Sequence, residues 1–138
     1  MEEKRLLLVE DEAPLRRSLE NFLHRGGYAF DSCCTSREAL AQAQICRYDV
    51  AIVEYHLPDG DGAALIERLR TVHPDLRAIM ISAYDFQAIA DELEQMDVHA
   101  FLKKPFDPHD FEIALRSACS KVGLPFGSVE IYDFITAH

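Results

Sequence analysis

Acids, a hydroxyl and two lysines stand directly after apolar runs at four places: Glu10 and Asp11 after "LLLV" (6–9), Glu54 after "VAIV" (50–53), Ser82 after "AIMI" (78–81), and Lys103 and Lys104 after "AFL" (100–102). Carboxylates gathered in a partly desolvated cleft repel one another, so they either bind protons or share a cation. The hard oxygens of Glu10, Asp11 and Glu54 suit Mg²⁺, which accepts a few carboxylates and keeps several waters. A metal, the Lys104 ammonium and the Ser82 hydroxyl together would neutralise the equatorial oxygens of a transferring phosphoryl group, while a carboxylate serves as nucleophile. The chemistry these residue types fit is an acyl phosphate. Each has an ordinary reading alone: an acid pair opening a helix, a turn serine, a solvated lysine, a core aromatic at Phe101. The functional reading depends on all of them meeting at one end of one sheet.

The elements that would bring them there are legible. Five short apolar runs, the four above and "YAFDSC" at 28–33, are each followed by a segment with helical spacing. Leu15, Leu19, Phe22 and Leu23 make the first helical face, stopped by Gly26 and Gly27, and Thr35 with Glu38 forms a capping box for the second. Leu65, Ile66, Leu69 and Val72 line the third helix, and Phe86, Ile89, Ala90, Leu93 and Met96 the fourth. Asp107 caps the fifth with Pro108 in its first turn, and Phe111, Ala114, Leu115 and Ala118 face inward. Alternating strands and helices predict a parallel sheet with helices on both faces. Such sheets bind ligands at the carboxyl ends of their strands, where all the residues singled out above would stand.

Composition bounds the rest. The chain of 138 residues suits one globular domain. Its 24 acids against 14 Lys plus Arg give a net charge of −10, which repels nucleic acid and anionic lipid. No apolar run approaches the roughly 20 residues of a membrane span, and "MEEKRLLLVEDE" is not a secretory signal, so a cytoplasmic protein is expected. Cys33, Cys34, Cys46 and Cys119 lack metal-ligand spacing and are expected as reduced packing residues.

With these segments in order, residues 4–121 resemble the receiver domain of two-component response regulators. "LLLVEDE" resembles the family's first strand and acidic pair, "VAIVEYHLPDGDG" its phosphoacceptor strand and loop, "IMISAY" its Ser/Thr strand and "AFLKKPF" its Lys-Pro segment. The resemblance implies a flavodoxin-like (βα)5 fold, α/β, with a doubly wound parallel sheet in the order 2-1-3-4-5. It implies that Glu10, Asp11, Glu54 and the carbonyl of His56 hold Mg²⁺, and that Ser82 and Lys104 bind phosphoryl oxygens. Phe101 becomes the aromatic that reorients with Ser82 when the site fills. It also implies a cis peptide before Pro105, a partner face made by the fourth helix, fifth strand and fifth helix, and a sensor histidine kinase or other signalling protein as partner.

One residue departs from the family. Glu54 stands where the phosphorylated Asp belongs. The extra methylene displaces its carboxylate by roughly 1.5 Å, and misplacement of about 1 Å can cost about a hundredfold in an in-line reaction. Glu54 is therefore expected to be a poor phosphoacceptor whose charge partly mimics the phosphorylated state. A vestigial, metal-free interaction module and a receiver weakly phosphorylated at Glu54 are the alternatives. An acyl-phosphate phosphatase would want D-x-D after the first strand and a cap domain, and a flavin site would want a phosphate loop where this chain has acids. Residues 1–122 make up the receiver in this reading. Residues 123–138 form a tail or linker, apolar at Val129, Ile131, Tyr132, Phe134 and Ile135, that packs back on the domain or pairs a homodimer.

Overall fold

The computed structural model describes residues 4–120, apart from the Phe86 side chain; the tail expected at 123–138 lies outside the described residues. Five strands alternate with five helices: β1 (Arg5–Val9), α1 (Ala13–Arg25), β2 (Ala29–Cys33), α2 (Ser36–Ile45), β3 (Val50–Glu54), α3 (Gly62–Val72), β4 (Arg77–Ser82), α4 (Phe86–Met96), β5 (Ala100–Lys103) and α5 (Pro108–Cys119). The strands form one parallel sheet in the order β2-β1-β3-β4-β5, the expected doubly wound arrangement.

Side-chain alternation along the strands explains why they read as unbroken apolar runs. Leu7, Val9, Ala51, Val53, Met80 and Phe101 point to one face, where Leu65, Ile66 and Leu69 of α3 and Leu93 of α4 cover them. Leu6, Leu8, Ile52, Ile79, Ile81 and Leu102 point to the other, beneath Leu19 and Leu23 of α1 and Phe111 and Leu115 of α5. Both faces are buried, so neither leaves a polar stripe in the sequence.

The predicted caps are present. Thr35 Oγ1 accepts from the Glu38 amide at 3.1 Å, and Glu38 Oε1 accepts from the Cys34 amide at 2.9 Å. Asp107 accepts from the His109 amide at 2.7 Å with Pro108 opening α5. The sequence did not announce that Asp59, in the loop after β3, also caps α2, accepting from the Ser36 and Arg37 amides at 2.9 and 3.0 Å. Val72 corrects the expected α3 face. As the last helical residue it stands past the apolar stripe, 38% exposed beside the turns at Arg47–Asp49 and Pro74–Leu76.

Candidate functional site at the carboxyl edge of the sheet

Because all five strands run the same way, their carboxyl ends share one edge, and the polar residues that end them become neighbours. Glu10 follows β1 and stays in the ladder, its amide donating to the Cys33 carbonyl at 3.1 Å. Glu54 and Ser82 are the last residues of β3 and β4, and both are buried. Lys104 follows β5, its amide donating to the Ser82 carbonyl at 2.7 Å, and its peptide bond to Pro105 is cis, as the resemblance implied.

Between Glu54 and α3 the chain makes a tight corner. His56–Leu57 and Gly60–Asp61 pair as a two-residue antiparallel ribbon, and the Gly62 amide donates to the Tyr55 carbonyl at 2.6 Å. A Cβ at Gly62 would overlap the Glu54 carbonyl oxygen and meet Val53 Cγ1 at 2.9 Å, so only glycine lets α3 start this close to the end of β3. Asp61 then caps α3, accepting from the Ala64 amide at 2.7 Å.

At the centre is the Lys104 ammonium. It contacts Glu54 Oε1 directly, Glu12 Oε1 at 2.5 Å and both Glu10 carboxylate oxygens at 3.3 Å. The second oxygen of Glu54 accepts from the His56 amide at 2.8 Å, and Glu10 Oε2 accepts from the Glu12 amide at 3.0 Å. Glu10 Oε1 is the unsatisfied atom: fully buried, within ion-pairing distance of Lys104, yet aligned with no hydrogen-bond donor. Burial pushes the Glu10 carboxyl up to about 7, against the Glu12 amide and Lys104, which favour its charge, and with Glu54, which opposes it. Burial also opposes the charge of Lys104, but its bonds to Glu12 and Glu54 outweigh that and raise its pKa.

A cleft of about 310 Å³ opens over these groups, lined among others by Asp11, Glu12, Glu54, His56, Ser82 and Lys104. The rings of His56 and Tyr84, both in its lining, have centroids 5.2 Å apart, and the Tyr55 ring lies near each of them. Ser82 Oγ accepts from the Tyr84 amide at 2.9 Å. Phe101 is fully buried in β5, in register with Met80, and does not line the cleft. One carboxylate oxygen each from Glu10, Glu12 and Glu54 lies within 4.8 Å of the others, an arrangement able to hold a cation. Asp11 is exposed and borders the cleft, but its carboxylate is outside that group. Glu12 was the missed residue. Its signal was a third acid immediately after the pair, which also reads as an ordinary helix start.

The family model described as "Response regulator receiver domain" matches residues 6–116. The chain belongs to that family. Among its curated relatives, the photosynthetic apparatus regulatory protein RegA of Cereibacter sphaeroides is 29% identical over 113 residues, covering 82% of this chain and 61% of that protein. The transcriptional regulatory protein PmrA of Pectobacterium parmentieri is 33% identical over 115 residues, covering 82% of this chain and 51% of that protein. Among solved structures, the non-phosphorylated HemR receiver domain from Leptospira biflexa matches with a TM-score of 0.79 at 27% identity, covering 86% of this chain and 95% of that one. This receiver thus spans between half and about three-fifths of the length of those two curated relatives. Receiver domains are signalling domains, generally not classed as enzymes; as a family they generally bind Mg²⁺ at an acidic phosphorylation site, interact with sensor kinases and dimerise. Among the described residues of this receiver no helix is long and apolar enough to cross a membrane.

Proposed function

We propose that this chain is a receiver module of two-component signalling whose output does not wait for phosphorylation, because Glu54 occupies the phosphoacceptor position. The contact between Glu54 and Lys104 carries the reading. The lysine meant for a phosphoryl oxygen is already engaged by the longer carboxylate, and the other Glu54 oxygen is tied to the His56 amide. A nucleophile bound at both oxygens and displaced by one methylene is poorly placed for in-line attack on a phosphodonor. It does place a fixed negative charge at the carboxyl end of β3, beside the lysine that follows β5. The mimic is incomplete, with one charge and two oxygens against nearly two charges and three oxygens for a phosphoryl group.

The donor set fits Mg²⁺: a fully buried carboxylate oxygen without a donor, and carboxylates close enough to share a cation. Glu10 and Glu54 of that group, with Asp11 turned in from the cleft border and the carbonyl of His56, would hold it, and when bound it would neutralise the carboxylates and polarise a phosphoryl group. Ser82 and Lys104 are the groups for phosphoryl oxygens. Ser82 pairs with Lys103 across the β4–β5 register, so a shift at either residue passes along β5 to Phe101. That couples the cleft to the face formed by α4, β5 and α5, which we assign to the sensor kinase or another signalling protein, or to a second copy. Residues 123–138 are the other route to a homodimer, beyond a receiver unit of residues 1–122. With a net charge of −10 the module works through protein contacts without direct nucleic acid or membrane binding, in a cytoplasm where its unpaired cysteines stay reduced.

The experiment is a titration with Mg²⁺ and then beryllofluoride, a phosphoryl mimic, followed by amide NMR near Ser82, Phe101 and Lys104, with Glu54→Asp in parallel. A response of the variant and silence of the parent is expected. Silence of both would make the site a vestigial, metal-free interaction module.

A further inference from the structure

Glu12 is the N-cap residue of α1, yet its side chain makes no cap hydrogen bond. A short side chain such as Asp at that position ordinarily turns back to the first amides of its own helix; the longer Glu is free to reach elsewhere, and either acid gains from the helix dipole. Here the carboxylate instead crosses the cleft to Lys104, 92 residues away, at 2.5 Å. The backbone beneath it is held: the Glu12 amide donates to Glu10 Oε2 at 3.0 Å, and Arg16 donates to the Glu10 carbonyl at 2.9 Å. Glu12 is the exposed member of the group around Lys104, whose other members are buried, so it covers the solvent side of the ammonium.

From this geometry we propose that Glu12 is a specificity-determining residue: a built-in carboxylate that competes for Lys104 and sets the cleft against anions, independently of Glu54. The inference rests on the receiver reading of the site and deepens it. One ammonium with three N–H donors faces three carboxylates, so an incoming phosphoryl-like anion competes for it with Glu12, the exposed partner. An entering cation meets the opposite situation, because Glu12 adds to the charge that attracts it. Placing Asp at position 54 would therefore leave part of the barrier to anions in place, since Glu12 would still hold the lysine.

The test compares Glu54→Asp with the double variants Glu12→Gln/Glu54→Asp and Asp85→Asn/Glu54→Asp, titrating beryllofluoride at saturating Mg²⁺ and reading amide shifts. Asp85 is a matched control. It is the N-cap of α4, also makes no cap bond, and holds Lys103, outside the cleft lining, at 2.5 Å. Removing Glu12 should tighten beryllofluoride about five- to tenfold, the worth of one partly exposed charge-assisted hydrogen bond, while removing Asp85 should change it less than twofold. Equal affinities with and without Glu12, or the same gain from Asp85→Asn, would overturn the inference and leave the site reading intact. Silence of all three variants would overturn the site reading and this inference with it.

Discussion

The ammonium of Lys104 and the carboxylate of Glu54 meet across the carboxyl edge of the sheet, from strands separated by β4. Glu54 is 5% exposed and Lys104 14%, so water does little to weaken the pair. The contact joins the lysine and the glutamate on which the proposed function rests, and several expected outcomes turn on it.

Replacing Glu54 with Asp withdraws the carboxylate by one methylene and frees room for a phosphoryl group. With Mg²⁺ and a small phosphodonor such as acetyl phosphate, the variant should form an acyl phosphate at least about a hundredfold faster than the parent. Intact-protein mass spectrometry reads the added phosphoryl. A parent that is modified at Glu54 as fast as the variant would remove the basis for phosphorylation-independent output.

Glu10 should make the fold sensitive to pH. Its carboxyl is raised from 4.5 to about 7, chiefly by burial. The native protein therefore keeps a proton that the unfolded chain has lost. The sign follows: stability falls as pH rises through that window, by about 3 kcal/mol once it is passed. Glu10→Gln should be more stable than the parent at pH 8 and close to it at pH 4.5, as measured by urea unfolding at both pH values. A constant difference between the two proteins would contradict the assignment.

Lys104→Met keeps the length of the side chain and removes the charge that Glu10 and Glu54 face. Loss of one partner from a largely buried cluster should cost roughly 2–4 kcal/mol at pH 8. Uptake of a proton by Glu10 should recover part of it at pH 5.5. Lys104 itself has a raised pKa, so its stabilising contribution is present throughout this range and lost only at strongly alkaline pH. Thermal unfolding at the two pH values checks both parts, and a pH-independent loss would mean that packing of the lysine stem dominates.

Gly62→Ala would drive a methyl group into the Glu54 carbonyl oxygen and against Val53. Both contacts belong to rigid β3, so relief must come from moving the start of α3, at a cost of about 3 kcal/mol. Denaturant unfolding measures the loss, and amide shifts at Glu54 and His56 should change with it. A variant as stable as the parent would show that the corner yields easily.

The element order and the strand ends were legible in the sequence because their causes are local. Apolar runs of strand length, helical periodicity, the Thr35 and Asp107 caps and the glycines after α1 all act within a few residues. A parallel topology then required Glu10, Glu54, Ser82 and Lys104 to share an edge, whatever the packing details. Resemblance added the roles that spacing alone left open.

Tertiary structure decided which neighbouring side chain does what. The sequence singled out Asp11 as a metal ligand and did not single out its neighbour Glu12, which reaches Lys104 from a loop held by Glu10 and Arg16. Asp59 caps a helix that begins 23 residues earlier, and Val72 leaves the apolar stripe where α3 ends. In loops and at helix ends no periodicity fixes side-chain direction; contacts distant in sequence set it, and they exist only once the sheet has brought its edges together.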